Sequence, residues 1–233
     1  MGLQTRTEAR KEQILSAAEK VFAKKGFQDA TISEVAKQAG LSDATIYEYF
    51  SSKEELLFSI PVLITRSAAA QLKTHLDYIR GAANKLRGIV YGYLSFYQEN
   101  PDYASVLMLI LKQNRKFIES DAYQLIRDVS RMITRVVQDG IEADEFKPDT
   151  NPYLVRAVLL GTVEHSVISW LLLGRPENLL KLADPLTDIV IDGIRKDAGL
   201  KNLNLKITVE PQDNAMRQKA VPAHKPKKPK LRK

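Results

Sequence analysis

The chain contains no cysteine, which excludes disulfide bonds and thiolate metal sites. Its three histidines, His75, His165 and His224, lack the spacing of a zinc site, so neither a metal nor a cofactor is expected. No apolar run approaches the roughly 18 residues of a membrane span, and the polar N-terminus has no apolar signal-peptide core. We therefore expect a cytoplasmic protein with no membrane partner.

Catalytic motifs are also missing from the sequence. It has no glycine-rich phosphate loop, no HExxH motif and no serine beside a histidine motif. Glu164 and His165 are adjacent, but neighbours on a helix point about 100° apart and cannot both serve one site. We expect a protein that is not an enzyme. Each of these two residues is interpreted as a buried group with a partner, which makes both a clue to a ligand cavity or a dimer contact.

Positive charge is concentrated at the C-terminal end. The net charge is +7, but residues 217–233 contain eight Lys or Arg and no acid. The preceding residues include 27 basic and 28 acidic ones, so that part of the chain is nearly neutral. Affinity of this part for nucleic acid then depends on where individual charges lie. The basic end itself either adds non-specific attraction to DNA or has no role beyond solubility.

The stretch from Thr31 to Lys53 predicts two short helices around a tight turn. Thr31 and Glu34 have the spacing of a capping box, and Gly40 supplies the left-handed residue that ends the first helix. Ser42 caps the second helix, predicted over 43–49. The side chains expected to point outward from this second helix are small or hydroxylated: Ser42, Ala44, Thr45, Tyr47 and Tyr49.

This pattern is typical of a helix-turn-helix unit, because small side chains and hydroxyls allow close approach to phosphates and base edges. A helical hairpin within a larger bundle is the alternative interpretation. A preceding helix over 6–25 has Ile14, Ala18 and Phe22 on one face, so we expect it to complete a three-helix head.

Residues 5–60 closely resemble the N-terminal DNA-binding domain of TetR-family transcriptional repressors. The resemblance implies a homodimer that binds a palindromic double-stranded operator and is released by a small hydrophobic inducer. It also implies an all-α fold, with a helix-turn-helix head over 1–52 and a helical ligand-binding and dimerisation domain over 53–200. The residues that match are Ile14, Ala17, Ala18, Phe22, Gly26, Phe27, Thr31, Ile32, Ile46, Tyr47, Glu48, Tyr49, Phe50, Lys53, Glu54, Leu56 and Leu57.

Within the head, the first turn of the second helix contains the candidates for base-edge contact: Asp43, Ala44 and Thr45. Asp43 departs from what most such repressors have there, since an acid near DNA is costly unless it accepts a hydrogen bond from cytosine. The candidates for phosphate contact are Thr31, Ser42, Tyr47, Tyr49 and Lys53.

The rest of the chain predicts helices over 53–79, 84–99, 102–113, 121–143, 152–173 and 177–196. The helix over 152–173 is apolar nearly all round, so we expect it to be covered on several sides. Gly161 in its middle indicates close approach of another helix. The last two helices fit a dimer bundle, or alternatively the core of a single chain. The candidate dimer contacts are Gly161, His165, Ile189 and Val190.

Two segments of this domain, QENPDYASVLMLILKQNRKF and GTVEHSVISWLL, resemble the TetR subgroup that regulates fatty-acid degradation, whose inducers are long-chain acyl-CoAs. Arg115 or Lys116 at the mouth of an apolar pocket would suit the anionic head of such a ligand. The candidate ligand contacts are Tyr93, Tyr97, Met108, Arg115, Glu164 and Trp170.

Two alternatives stay open. A multidrug-type repressor that senses a cationic or other hydrophobic compound is favoured if Glu164 lies unpaired in a cavity. A ligand-free architectural DNA-binding protein, aided by its Lys-rich end, is favoured if the bundle has no cavity. Residues 203–209 alternate apolar and polar side chains, and we expect residues 201–233 to form an extended segment followed by a basic disordered tail.

Overall fold

A computed structural model describes residues 2–196, with the side chains of residues 6–62 and 64–196. The extended segment and basic tail predicted over 201–233 lie outside the described residues and stay predictions. The described part is helical, as predicted, and contains no strand. A single isolated antiparallel bridge within it pairs Phe146 with Arg195.

Ten α-helices follow one another along residues 2–196, interrupted by short turns of other helical types. The turns are a π-helical turn (Val106–Ile110) and two 3₁₀ turns (Leu111–Gln113 and Leu179–Leu182). The helices are α1 (Gly2–Asp29), α2 (Ile32–Ala39), α3 (Asp43–Tyr49), α4 (Lys53–Asp77), α5 (Ala82–Glu99), α6 (Pro101–Ser105), α7 (Arg115–Ile118), α8 (Asp121–Glu142), α9 (Pro152–Leu173) and α10 (Ala183–Ile194).

Helices α1 to α3 form the predicted head around a small apolar core. Phe22 of α1, Val35 of α2 and Ile46 of α3 are fully buried, and the Phe22 and Phe27 rings lie 5.9 Å apart. Helix α1 is interrupted at Gly26, which adopts a φ of 77°. This left-handed backbone favours glycine and redirects the chain towards α2.

The body is arranged around α5, which packs against α4, α8, α9 and α10. Its N-terminus is capped from a distant part of the chain. The Glu145 carboxylate, which follows α8, accepts hydrogen bonds from the backbone N–H groups of Ala82 and Ala83 at 2.6 and 2.8 Å. A carboxylate stabilises this end of a helix because the free N–H groups carry partial positive charge. The bond also holds the end of α8 to the start of α5.

The prediction of one helix over 102–113 is wrong. The chain forms α6, then the π-helical turn, then a 3₁₀ turn. The N–H of Leu111 donates to the carbonyls of both Val106 and Leu107, so the hydrogen-bond register slips by one residue. This segment contacts α1 on one side and α9 on another, and Val106, Leu107 and Met108 are buried between them.

Helix α9 has the predicted bounds but two different faces. Val155, Leu159 and Val163 are buried against the rest of the chain. Tyr153 and Leu154, at 68% and 62% exposure, lie on the other side, so the described residues 2–196 do not supply the expected cover on several sides. Among residues 2–196, α9 is the one helix long and apolar enough to cross a membrane by length and composition, a test that core helices also pass.

Helix α1 joins the head to the body, and two further contacts hold the start of α4, the body helix that directly follows the head. Helix α1 packs against α6 and the π-helical turn. The Lys116 ammonium of α7 bonds the Glu54 carboxylate at the start of α4, at 3.0 Å. The rings of Phe58 in α4 and Phe117 in α7 lie 5.5 Å apart. The beginning of α4 is therefore held by the body immediately after the chain leaves the head.

A half-buried acid, Glu19, lies in the first of these contacts. Burial and the nearby Asp102 carboxylate of α6 raise the pKa of Glu19 from 4.5 to about 7, although Lys20 opposes the shift. A raised carboxyl pKa means that the native protein keeps a proton that the unfolded chain releases. The free energy of unfolding therefore falls as the pH rises from about 4.5 to about 7.

We predict that Glu19→Gln weakens this pH dependence, since glutamine is neutral at every pH. Urea unfolding at pH 5 and pH 8 is expected to show a smaller loss of stability for the variant than for the wild type. At pH 8 the variant is expected to be the more stable protein. Glu12→Gln, which removes an exposed carboxylate from the same helix, is the control. An unchanged loss in Glu19→Gln would contradict the assignment.

Candidate DNA-binding face and ligand cavity

The turn between α2 and α3 is closed by the predicted local hydrogen bonds. The Thr31 hydroxyl accepts from the Glu34 N–H at 3.2 Å, and the Glu34 carboxylate accepts from the Thr31 N–H at 3.1 Å. Gly40 is left-handed, with φ 68° and ψ 35°, and the Ser42 hydroxyl accepts from the Thr45 N–H at 3.2 Å. Both helices are thus capped by their own sequence, which gives α3 a defined direction.

Helix α3 presents most of the predicted contact residues to solvent. Ser42, Asp43 and Ala44 are exposed, and Tyr47 is 54% exposed. Thr45 is half-buried, and its hydroxyl lies 3.0 Å from that of Ser42. Ile46 is fully buried and anchors the opposite side of the helix. The outward face is therefore small and hydroxyl-rich over its first turn.

Two other candidate residues have contacts inside the head. Tyr49 is half-buried against the apolar core. The Lys53 ammonium donates to the carbonyl oxygens of Phe27 at 2.8 Å and Ala30 at 2.9 Å, with a longer bond to Gln28 at 3.3 Å. It also lies 4.5 Å from the centre of the Phe27 ring. Lys53 therefore stabilises the end of α1, and its ammonium has no donor left for a phosphate.

A cavity of about 460 Å³ lies in the body between α4, α5, α6 and α8. Its volume is within the range of small-molecule sites. Most of its wall is apolar or aromatic, and two of the predicted contacts, Tyr93 and Tyr97, line it. Other lining side chains are Leu72 of α4, Phe96 of α5, Tyr103 of α6 and Ile126 of α8.

The polar groups of the cavity are mainly hydroxyls. The hydroxyls of Tyr103 and Thr65 lie 3.1 Å apart and join α6 to α4. Burial raises the pKa of Tyr103 to about 12 and that of Tyr97 well above its usual value, so both hydroxyls keep their protons. Apart from the tyrosines, the ionisable side chains that line the cavity are His75 and Glu99, and both are exposed. Such a wall suits an apolar ligand that carries a hydrogen-bond acceptor.

Four predicted ligand contacts do not line this cavity. Met108 is buried in the π-helical turn, where it packs in the core, and Trp170 is half-buried on α9. Arg115 is exposed and paired with Glu119 at 3.2 Å. Glu164 is paired with Lys112 in a partly buried ion pair. Neither Arg115 nor Lys116 lines this cavity, and each pairs with a carboxylate, so the expected basic mouth does not belong to this cavity.

Sequence reasoning missed several cavity residues. Thr65 and Tyr103 had no signal, because their hydrogen bond joins positions 38 apart in the chain. Gly88 and Gly92 lie four residues apart on the same face of α5. A Cβ added at Gly92 would lie 2.9 Å from Leu72 of α4, and one at Gly88 would lie 2.8 Å from Ile79. The two glycines keep α4 and α5 close along the cavity.

The candidate dimer residues lie mostly on an uncovered surface. Gly161 and His165 of α9 are exposed, which corrects the expectation that His165 is buried. Ile189 of α10 is 74% exposed, whereas Val190 is half-buried against the core. A Cβ added at Gly161 would meet no atom of the described residues within 4 Å, so no contact among them explains this glycine.

Comparison with known proteins matches two successive parts of the chain to two family profiles. The family profile of bacterial regulatory proteins of the tetR family matches residues 14–60, and that of the YsiA-like protein C-terminal region matches residues 67–193. The HTH-type transcriptional repressor NicS of Pseudomonas putida is 30% identical over 200 residues, which cover 80% of this chain and 92% of the relative.

A second relative is the fatty acid metabolism regulator protein of Bacillus subtilis, 25% identical over 182 residues that cover 78% of this chain and 94% of the relative. A crystal structure of the B. subtilis transcriptional regulator FadR in complex with stearoyl-CoA has a TM-score of 0.74 at 25% identity. The match covers 79% of this chain and 99% of that one. The chain therefore belongs to the TetR family of bacterial regulatory proteins and is a DNA-binding transcriptional repressor.

Proposed function

We propose that a long-chain acyl-CoA releases this repressor from its operator. The observation that carries the proposal is the apolar, tyrosine-rich cavity between α4 and α5, in a chain similar to a regulator whose structure contains stearoyl-CoA. The acyl chain occupies the cavity, and the protonated tyrosine hydroxyls supply donors for the thioester carbonyl. The cavity wall contains no Lys or Arg among the described side chains, so the phosphates of the ligand lie outside it.

A cationic hydrophobic inducer is the second candidate, and one observation favours it. Glu99 is the acid at the cavity lining, next to several aromatic rings, and it accepts a hydrogen bond from Ser95 at 2.7 Å. Aromatic faces and a carboxylate together attract cations. The argument from Glu164 no longer supports this candidate, because Lys112 neutralises that acid. The presence of a cavity argues against a ligand-free architectural role.

Isothermal titration calorimetry with the full chain separates these candidates. We expect palmitoyl-CoA to bind at micromolar concentration or below. Ala69→Phe is expected to weaken binding by about tenfold or more, because Ala69 lines the cavity and the added ring fills part of it. Ala70→Phe, at the adjacent exposed position, is the control and should leave the affinity unchanged.

Absence of heat with palmitoyl-CoA would contradict the acyl-CoA proposal. Binding of a quaternary ammonium dye in the same experiment would then support the cationic candidate. Equal affinities of wild type and Ala69→Phe would place the ligand outside this cavity.

On the DNA side, α3 is proposed to enter the major groove with its first turn towards the base edges. Asp43, Ala44 and Thr45 lie in that turn, where recognition helices of this motif contact bases. The exposed Thr31, Ser42 and Tyr47 hydroxyls are proposed to contact phosphates. Tyr49 and Lys53 act mainly in support of the head, since both have contacts within it.

We propose that two chains form a dimer whose interface consists of α9 and α10. A two-fold symmetric dimer requires a palindromic operator. Large apolar side chains on these helices are exposed, including Leu154, Val158, Leu173 and Ile189. Several large apolar side chains exposed on neighbouring helices favour a protein interface. A two-fold pair buries these side chains and presents one α3 to each half-site. Contact with chromosomal DNA also implies a cytoplasmic location.

Gly161→Arg tests this dimer. Within a single chain, a Cβ at this position meets no atom of the part that the structure describes, and replacing glycine improves helix propensity by about 1 kcal/mol, so the fold should be kept. In the dimer it inserts a charged side chain into an apolar contact. Sedimentation velocity is expected to give twice the 26.2 kDa chain mass for the wild type and a single chain for the variant.

Ala70→Arg is the control for charge, because it adds the same side chain at an exposed position of α4, and it should remain dimeric. A dimeric Gly161→Arg, or a wild type that sediments as one chain, would remove the proposed interface.

Ligand binding affects DNA binding through the shared contacts of head and body. An inducer that binds one arrangement of the two parts more tightly lowers operator affinity by the ratio of its two affinities. The segment most directly placed to transmit the change is α6, since Tyr103 lines the cavity and Asp102 lies beside Glu19 of the head.

A further inference from the structure

The first residue of the recognition helix is an acid whose position is set by the preceding helix. The Ser33 hydroxyl of α2 donates to Oδ2 of Asp43, and both side chains are exposed. Oδ1 of Asp43 accepts no hydrogen bond from any residue within 2–196. A carboxylate has about four lone-pair directions on two oxygens, so one oxygen remains free to accept from a ligand.

This acid is unusual in a helix that binds a polyanion. Helix α3, DATIYEY, contains Asp43 and Glu48 and no Lys or Arg. A carboxylate near phosphates is repelled, and its desolvation costs free energy unless a donor compensates. Asp43 therefore weakens binding to DNA unless the base edge opposite it supplies an N–H group.

The major-groove edges of the bases differ in this respect. Guanine presents two acceptors, thymine an acceptor and a methyl group, and adenine an acceptor next to its amino group. Cytosine presents the N4 amino donor without an adjacent acceptor. A fixed carboxylate is therefore matched best by cytosine. It is repelled by the acceptors of guanine and thymine, and the N7 acceptor beside the adenine amino group weakens its bond there.

We propose that Asp43 determines specificity by accepting a hydrogen bond from a cytosine N4 amino group in each half-site, and that Ser33 is its positioning residue. The Ser33 bond restricts the rotamer of Asp43, so the free oxygen has a defined direction before DNA binds. This inference rests on the proposed placement of the first turn of α3 at the base edges.

The test is selection of binding sites from a random double-stranded DNA library with the full chain. The wild type is expected to enrich a palindrome with a cytosine, preferred about tenfold, at one position of each half-site. Asp43→Ala is expected to lose that preference and keep the others. Asp43→Asn is expected to change it to adenine, because asparagine bonds the N6 and N7 atoms of adenine.

The Ser33→Ala variant is expected to prefer cytosine at the same position but less strongly, because Ser33 acts by positioning Asp43. Glu48→Gln is the matched control, because it removes a negative charge from the same helix about 140° around its axis. It should leave the preferred bases unchanged. Circular dichroism of each variant confirms that α-helical content is retained.

An Asp43→Ala variant that selects the same bases at every position would overturn the inference while leaving DNA recognition intact. If Asp43→Ala selects no DNA, the isosteric Asp43→Asn decides: unchanged cytosine preference overturns the inference and a change to adenine supports it. Failure of the wild type to enrich any palindrome would overturn the proposed operator and this inference together.

Discussion

The contact between α1 and the segment formed by α6 and the π-helical turn connects the two functions of the protein. Tyr103 of this segment lines the cavity and bonds Thr65 of α4, while the neighbouring Asp102 lies beside Glu19 of the head. Protein interiors are close-packed, so a ligand that displaces Tyr103 also moves its neighbours. The same segment, α6 with the π-helical turn, therefore contributes to the cavity wall and packs against helix α1 of the DNA-binding head.

The stability of the contact between α1 and α6 depends on the charge of Glu19. Burial of Glu19, followed by its repulsion from Asp102, favours the neutral carboxyl, so the contact is most stable when Glu19 holds a proton. The Lys116–Glu54 pair and the Phe58–Phe117 contact tie the start of α4 to α7 on another side. A ligand that binds one arrangement of head and body more tightly than another shifts the equilibrium between them by its differential affinity.

Local features of the fold could be predicted because their causes lie within a few residues. The Thr31–Glu34 capping box, the left-handed Gly40 and the start of α9 at Pro152 were all readable from spacing. Features that depend on distant partners could not. The cap of α5 comes from Glu145, the end of α1 is closed by Lys53, and the π-helical turn over Val106–Ile110 keeps an apolar pattern that also fits a plain helix.

The same limit applies to the sites. The sequence named Tyr93, Tyr97 and Met108 as candidate ligand contacts, but an apolar helix pattern cannot distinguish a cavity wall from a filled core, and Met108 belongs to the core. Charged residues were harder, because Glu164 and Lys116 pair with Lys112 and Glu54, which are distant in the sequence. Neither Glu164 nor Lys116 lines the cavity. Exposed residues of α3 were more predictable, because a capped helix with one buried anchor has only one outward face.

The central claim is that occupation of the cavity loosens the hold of the head on DNA. It is tested most directly by fluorescence anisotropy of a labelled operator at increasing concentrations of palmitoyl-CoA. The account predicts that the operator dissociation constant rises with ligand concentration and reaches a plateau set by the ratio of the two ligand affinities. A dissociation constant that stays unchanged when calorimetry shows the protein to be saturated with ligand would contradict it.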